Sequence, residues 1–260
     1  MSKFSAFLSS SIGKKLLMAL TGLFLISFMV AHLMGNLQLF KDDFGLSFNQ
    51  YAVFMTSNPL IKTISYGLYA IILFHAFQGL YLAYQNKMAR PVGYAKVASN
   101  NAPWYSRSMA LLGTIILVFI VVHMSGFWYQ YKFGSVPYTQ YQVQLYNPSD
   151  IVATEYAGEK ISEKMVEIVN PADGTKTIIV KDLYKEVSTS FKQLWIVIIY
   201  VLSMGALAFH LIHGFKSAFQ TLGINHPKYN GIIKFLGIWV FGLIFPILFA
   251  SMPLYFYFIH

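Results

Sequence analysis

The sequence predicts an all-α membrane protein: five transmembrane helices packed as a bundle, with a small outer β-hairpin insertion. Two observations carry that expectation. Residues 16–35, 63–85, 108–131, 193–215 and 235–260 contain no Asp, Glu, Lys or Arg. Each stretch reaches the ~20 residues that cross a ~30 Å hydrocarbon core as a helix. The whole chain is 56% hydrophobic and 11% charged, whereas a soluble domain carries about a quarter charged residues. A span in lipid must satisfy its own backbone, which selects helix.

The charges that remain are sorted. Lys3, Lys14, Lys15, Lys87, Arg90, Lys96, Arg107, Lys216, Lys228 and Lys234 fall in three places that hold no acidic residue. The other nine basic residues share their loops with all ten acidic ones. Five spans put the first group on one side, and the positive-inside rule makes that side cytoplasmic. The net charge of +9 is therefore a topology signal and implies no nucleic acid. The expected setting is a bacterial inner membrane, multi-pass, N-terminus in the cytoplasm and C-terminus outside.

Taken in order, the helices are expected at about 14–36, 62–86, 107–131, 192–216 and 233–258, in one integral-membrane domain covering 1–260. The first is not read as a signal peptide: its apolar core is long, and Leu33-Met34-Gly35-Asn36 is a poor cleavage site. The loop after it, near 36–62, is outside. The second loop is short, basic and inside, broken by Pro91 and Pro103. The third, 132–191, is the large outer piece. Within it, 165–169 and 177–180 are short β-like runs, and Asn170-Pro171-Ala172-Asp173-Gly174 between them forms a hairpin turn. Residues 182–192 form an amphipathic lead-in to the fourth span. Pro246 should kink the last one.

Histidine carries the chemistry. His32, His75, His123 and the pair His210/His213 lie deep inside the first four stretches, where an ionisable group is costly and commonly functional. Depth pairs them. Counted from the basic edge, His32 is roughly 25 Å up and His123 roughly 24 Å. His75 is roughly 18 Å up and His210 roughly 9 Å, a looser match than the first. His213 would sit lower still. Glycine spacing gives the same pairs: Gly35 and Gly126 stand three residues after His32 and His123, and Gly79 and Gly214 four after His75 and His210. A glycine on the histidine's helix face removes bulk where a flat macrocycle approaches. For one histidine, a polar helix contact or a proton relay is an even alternative. The matched four favour two bis-histidine haems b, with neutral imidazoles whose second nitrogen is held by a carbonyl or hydroxyl. His226 is expected to be solvated, and His260 is uninformative. Without cysteine the chain has no disulfide, thiolate-held iron–sulfur cluster or covalent haem.

These residues resemble a family. Thr21-Gly-Leu-Phe-Leu-Ile-Ser-Phe-Met-Val-Ala-His32 is similar to the first span of the di-haem cytochrome b subunits of succinate:quinone oxidoreductases, the succinate dehydrogenases and fumarate reductases with one large membrane subunit. Phe74-His75-Ala76 with Gly79 resembles their second span. Phe209-His210 with Gly214 and Gly223 resembles the fourth. The likeness covers all five spans and is nearest to the b558 type that works with menaquinone. It implies that His75 and His210 are axial iron ligands of a proximal haem and that His32 and His123 are those of a distal one. It also implies a flavoprotein subunit and an iron–sulfur subunit on the cytoplasmic side, with succinate chemistry on those partners. Electron exchange with menaquinone or another quinone would then occur at an outer site near the distal haem. A dimer of such complexes is compatible with it.

Two departures stand out. Ala208 occupies a position where some fumarate reductases carry glutamate, which puts a transmembrane proton path through that group in doubt. The 132–191 loop is longer than usual. For the quinone, Asn36, Gln38, Asp42 and Asp43 are candidates, each with an ordinary solvated loop as the simpler alternative. Lys15, Arg107 and Lys216 are candidates for haem propionates, or simply obey the positive-inside rule. Two other functions fit the same histidines: the cytochrome b subunit of a formate dehydrogenase or hydrogenase, and a haem-free transporter with a histidine proton relay.

Overall fold

The computed structural model describes residues 3–89, 103–159 and 161–259. Arg90, Pro91, Lys96 and His260 lie outside them. The chain runs α1 (Lys3–Ser9), α2 (Ser11–Asn36), a 3-10 turn (Leu37–Phe40), α3 (Leu46–Ser57), α4 (Pro59–Ala89), α5 (Trp104–Arg107) and α6 (Met109–His123). A π-helical turn (Met124–Tyr129) leads into α7 (Gln130–Phe133). Four strands follow: β1 (Tyr138–Gln144), β2 (Ile151–Glu155), β3 (Met165–Asn170) and β4 (Thr175–Lys181). Then come α8 (Leu183–Phe191), α9 (Leu194–Thr221), α10 (Pro227–Phe235), a π-helical stretch (Leu236–Ile244) and α11 (Phe245–Phe258). Among the described residues five helical runs are long and apolar enough to cross a membrane: Ser11–Phe40, Pro59–Ala89, Met109–Phe133, Leu194–Thr221 and Pro227–Phe258.

Local chemistry sets the helix ends. Asn58 ends α3, and its side chain accepts from the N–H groups of Leu60 and Ile61 (2.9 and 3.2 Å). Pro59 then opens α4 at the one place where a missing N–H costs nothing. Asp182 caps α8 by accepting from Lys185 N–H at 2.9 Å, and His226 caps α10 through Lys228 N–H at 3.2 Å. Gly223 (φ +76°) closes α9, with Ile224 N–H bonded to Phe219 O at 3.0 Å, a Schellman-type end. Pro246 does not break the last helix. The π stretch ends just before it, and a wider turn accommodates a ring that would otherwise press on the carbonyl four residues back.

The contacts fall into two compact units. One comprises Met1–Val30, Tyr66–Ile120 and Ile198–Ser251. Its core is Ile26, Leu211, Phe215 and Ile233, with Leu23, Met29, Leu207 and Phe241 packed against it. Gln78 Nε2 donates to Lys14 O at 2.6 Å, and Lys14 Nζ donates to Gln85 Oε1 at 3.2 Å, tying α2 to α4.

The other unit comprises Ala31–Ser65, Val121–Val197 and Met252–His260. It contains an antiparallel sheet in the order β2-β1-β4-β3. The expected insertion was a hairpin; β3 and β4 form it, and β1 and β2 extend it to four strands. The missed strand β1 alternates Thr139, Tyr141 and Val143 with Gln140, Gln142 and Gln144, the period of a half-buried strand. Tyr141, Ile178 and Val180 turn inward onto Leu46 of α3. A buried polar knot joins sheet to helices. Asp182 accepts from Asn49 Nδ2 (2.8 Å) and Thr139 Oγ1 (2.5 Å). Asn49 Oδ1 accepts from Tyr184 N–H (2.9 Å), and Tyr141 OH donates to Phe44 O (3.0 Å). Burial, then the Asp182 charge, pushes the Tyr141 phenol up. Gly45 (φ +84°) is fixed twice, by its backbone and by the Tyr184 ring where a Cβ would go. The region between the first two long helices, expected as a loop, is thus largely α3.

Candidate functional site

The structure brings the four deep histidines together two by two, each pair within one unit. His32 on α2 faces His123 at the end of α6, ring centres 5.7 Å apart and planes at 86°. His75 on α4 faces His210 on α9 at 6.3 Å and 68°. An imidazole nitrogen binds a first-row metal at about 2.0–2.1 Å, so two imidazoles on opposite sides of one ion have centres about 6 Å apart. Edge-to-face packing of bare rings covers roughly 4.5–7 Å, so the spacing suits both arrangements. The ring nitrogens add what spacing cannot.

Thr21 Oγ1 lies 2.9 Å from His75 Nδ1. The same hydroxyl gives its one proton to Leu17 O at 2.8 Å. With the proton so placed its lone pair can accept Nδ1–H of His75, and that tautomer makes Nε2 the basic nitrogen. Across the pair, His210 Nδ1 is buried and has no hydrogen-bond partner among the described residues. An imidazole nitrogen sealed from water without a partner is costly, about 1–3 kcal/mol, and it is a nitrogen of the type that ligates metals. His213, one turn along, is bonded through Nδ1 to Ser106 Oγ at 2.7 Å and is not part of the pair.

Glycines border these rings. A Cβ at Gly22 would come within 3.4 Å of His75 Cε1, and one at Gly113 within 3.7 Å of His210 Cε1. Beside Gly126 and Gly214 there is open space, and Gly79 meets only the tip of Met18 at 3.8 Å. Gly35 differs from its expected role. The Tyr51 ring occupies the place its Cβ would take, so Gly35 admits a side chain of α3 rather than leaving a gap. Around His32 and His123 the backbone is pinned: Asn36 Nδ2 donates to His32 O at 2.7 Å. The π-helical turn begins at the residue after His123, and such turns are frequent at functional sites.

The remaining candidates divide by unit. Lys15, Arg107 and Lys216 are exposed and lie in the unit of His75 and His210. Asn36, Gln38, Asp42 and Asp43 lie in the unit of His32 and His123. Asn36 is engaged with His32. Asp43 is engaged at the start of α3, accepting from Gly45 N–H (3.1 Å) and Ser47 N–H (3.0 Å). Asp42 is exposed and Gln38 half-buried. Among the described residues no three His, Asp or Glu side chains gather as a metal cluster, so the donor sets are pairs. Thr21, Gly22, Gly113 and Ser106 were not legible as partners of histidines, because each contact spans tens of residues between separate helices. No protein-family model, curated protein or solved structure matches the chain.

Proposed function

We propose that this chain is the di-haem cytochrome b membrane anchor of a succinate:quinone oxidoreductase. It would join an iron–sulfur subunit on the cytoplasmic side to a membrane quinone. The observation that carries the reading is the pairing of four span histidines into two facing sets, His32 with His123 and His75 with His210. Two protein ligands are too few for a closed zinc site. They suit iron whose other positions a porphyrin fills. A haem b with two imidazole ligands supplies a one-electron centre with no open coordination position.

The chain's own residues do the rest. Thr21 holds the tautomer and orientation of His75. Gly22 and Gly113 leave room for the imidazoles, and Gly79, Gly126 and Gly214 leave space along the same helices. The exposed Lys15, Arg107 and Lys216 are suited to pair with propionates. With Asn36 and Asp43 engaged, Gln38 and Asp42 are the more available of the four quinone candidates. Membrane crossing is supported by where the apolar side chains point: only 6% of the most apolar window of Pro59–Ala89, and of Met109–Phe133, is buried inside the chain. Leu73, Phe77, Leu111 and Val118 are each more than half exposed, as lipid-facing side chains are.

The test is co-purification of the tagged chain from its native membrane. A flavoprotein and an iron–sulfur protein that together oxidise succinate with a quinone acceptor should accompany it. A molybdenum or nickel–iron partner would instead mark the formate dehydrogenase or hydrogenase type.

A further inference from the structure

Four lysines gather where the sheet meets helix ends, all within the second unit. Lys164 and Lys181 come from the sheet region, Lys62 from the first turn of α4 and Lys132 from α7. Burial first, and then the positive charges of Lys62, Lys181 and Lys132, hold Lys164 below the usual lysine range. The ion pairs Lys176–Glu167 and Lys185–Glu155 involve neither Lys164 nor Lys181. Both are half-buried, and among the described residues each donates one hydrogen bond. Lys164 Nζ donates to Thr56 O at 3.0 Å and Lys181 Nζ to Tyr131 O at 2.5 Å. Each ammonium has three donors, so each keeps two to offer. Like charges in one region repel, and an anion among them relieves the repulsion.

Their setting names the anion. Lys62 and Lys132 stand near the ends of two helical runs long enough to span a membrane. Lys132 Nζ lies over the rings of Trp128 (5.2 Å) and Phe133 (5.5 Å). Tyr129 and Phe133 are more than half exposed. Aromatic side chains mixed with lysine at a span end mark the headgroup level of a bilayer. Tyr131 of α7 is buried, with Lys164 and Lys181 over its ring at 5.8 and 5.2 Å.

We infer that Lys62, Lys132, Lys164 and Lys181 form a binding site for the phosphate of an anionic phospholipid headgroup at the sheet-side surface of the membrane. The inference rests on the membrane-spanning reading but not on haem or succinate chemistry.

The test uses the full chain. Resistance of the membrane-bound chain to carbonate extraction first settles whether it is integral. The chain in neutral detergent is then titrated with phosphatidylglycerol or phosphatidylcholine and followed by native mass spectrometry. The wild type should bind phosphatidylglycerol in preference. Lys164→Gln/Lys181→Gln should weaken that binding about 30-fold at low salt and leave phosphatidylcholine unchanged. Lys164→Arg/Lys181→Arg should keep it. Lys62→Gln, at an exposed site, should cost about 5-fold even if the double variant is unstable. Equal binding of the two lipids by wild type, or unchanged phosphatidylglycerol binding in both glutamine variants, would overturn the site. Competition by inorganic phosphate or glycerol 3-phosphate at equal concentration would make it a free-anion site and overturn the lipid assignment.

Discussion

Replacing Thr21 by valine isolates the role assigned to its hydroxyl. Valine keeps the branched shape, so helix α2 and its packing should survive. What is lost is the 2.9 Å contact to His75 Nδ1. A buried imidazole N–H left without an acceptor costs about 1–3 kcal/mol. At about 1.4 kcal/mol per factor of ten, haem at the His75–His210 pair should bind about 10–100-fold more weakly, the range typical for an outer partner of a metal-binding histidine. The assay is a titration of haem-depleted protein with haem, followed in the Soret band, beside redox potentiometry of the loaded protein. One of two sites should weaken, and one midpoint potential should move. Thr21→Ser should restore both. If Thr21→Val binds two haems with wild-type affinity and unchanged potentials, the hydroxyl does not orient a ligand, and His75 is held by something else.

Four further outcomes are expected. His32→Ala or His123→Ala should each remove one haem and spare the other, and His75→Ala or His210→Ala should remove the complementary one; difference spectra of the four variants should sort into two kinds. His213→Ala should retain both, because its ring is bonded to Ser106 and not paired with His75; loss of a haem there would reassign the ligand. Asn49→Ala should destabilise the sheet-bearing unit by about 2–4 kcal/mol, since it strips three buried hydrogen bonds at once. Faster hydrogen exchange across β1 and β4 at unchanged haem content is the expected readout. A reporter fused after His260 should be external and one at the N-terminus cytoplasmic; an active cytoplasmic reporter at the C-terminal end would require another number of crossings.

The long helices were legible because lipid-length apolar runs leave few other solutions, and their ends were blurred by caps. Asn58-Pro59 starts α4 three residues before the expected start at 62. Pro227 starts α10 six before residue 233, inside a polar stretch that hydropathy assigns to a loop. The His32–His123 pair follows from counting residues along rigid rods at a fixed rise; His75 and His210 count to unequal heights, and it is glycine spacing that pairs them in the sequence and ring packing that does so in the fold. What no count could show is lateral contact between rods. Thr21 reaches His75, Ser106 reaches His213, and Tyr51 fills the space beside Gly35 across 16 to 107 residues of chain. Strand β1 is readable in its alternation of Thr139, Tyr141 and Val143 with glutamines, but it follows the end of a long apolar helix, where hydropathy alone predicts a loop. The lysine cluster was hidden for a different reason. In sequence its members are interspersed with acidic residues, and only folding draws Lys164 and Lys181 together.

The central claim is tested most directly by a pyridine haemochrome assay on the purified chain, with haem counted against protein by quantitative amino-acid analysis. Two haems b per chain, low-spin in both oxidation states, is the result expected from His32–His123 and His75–His210 as axial pairs. One haem or none per correctly folded chain would contradict it, and would turn the facing imidazoles into packing contacts or a proton relay.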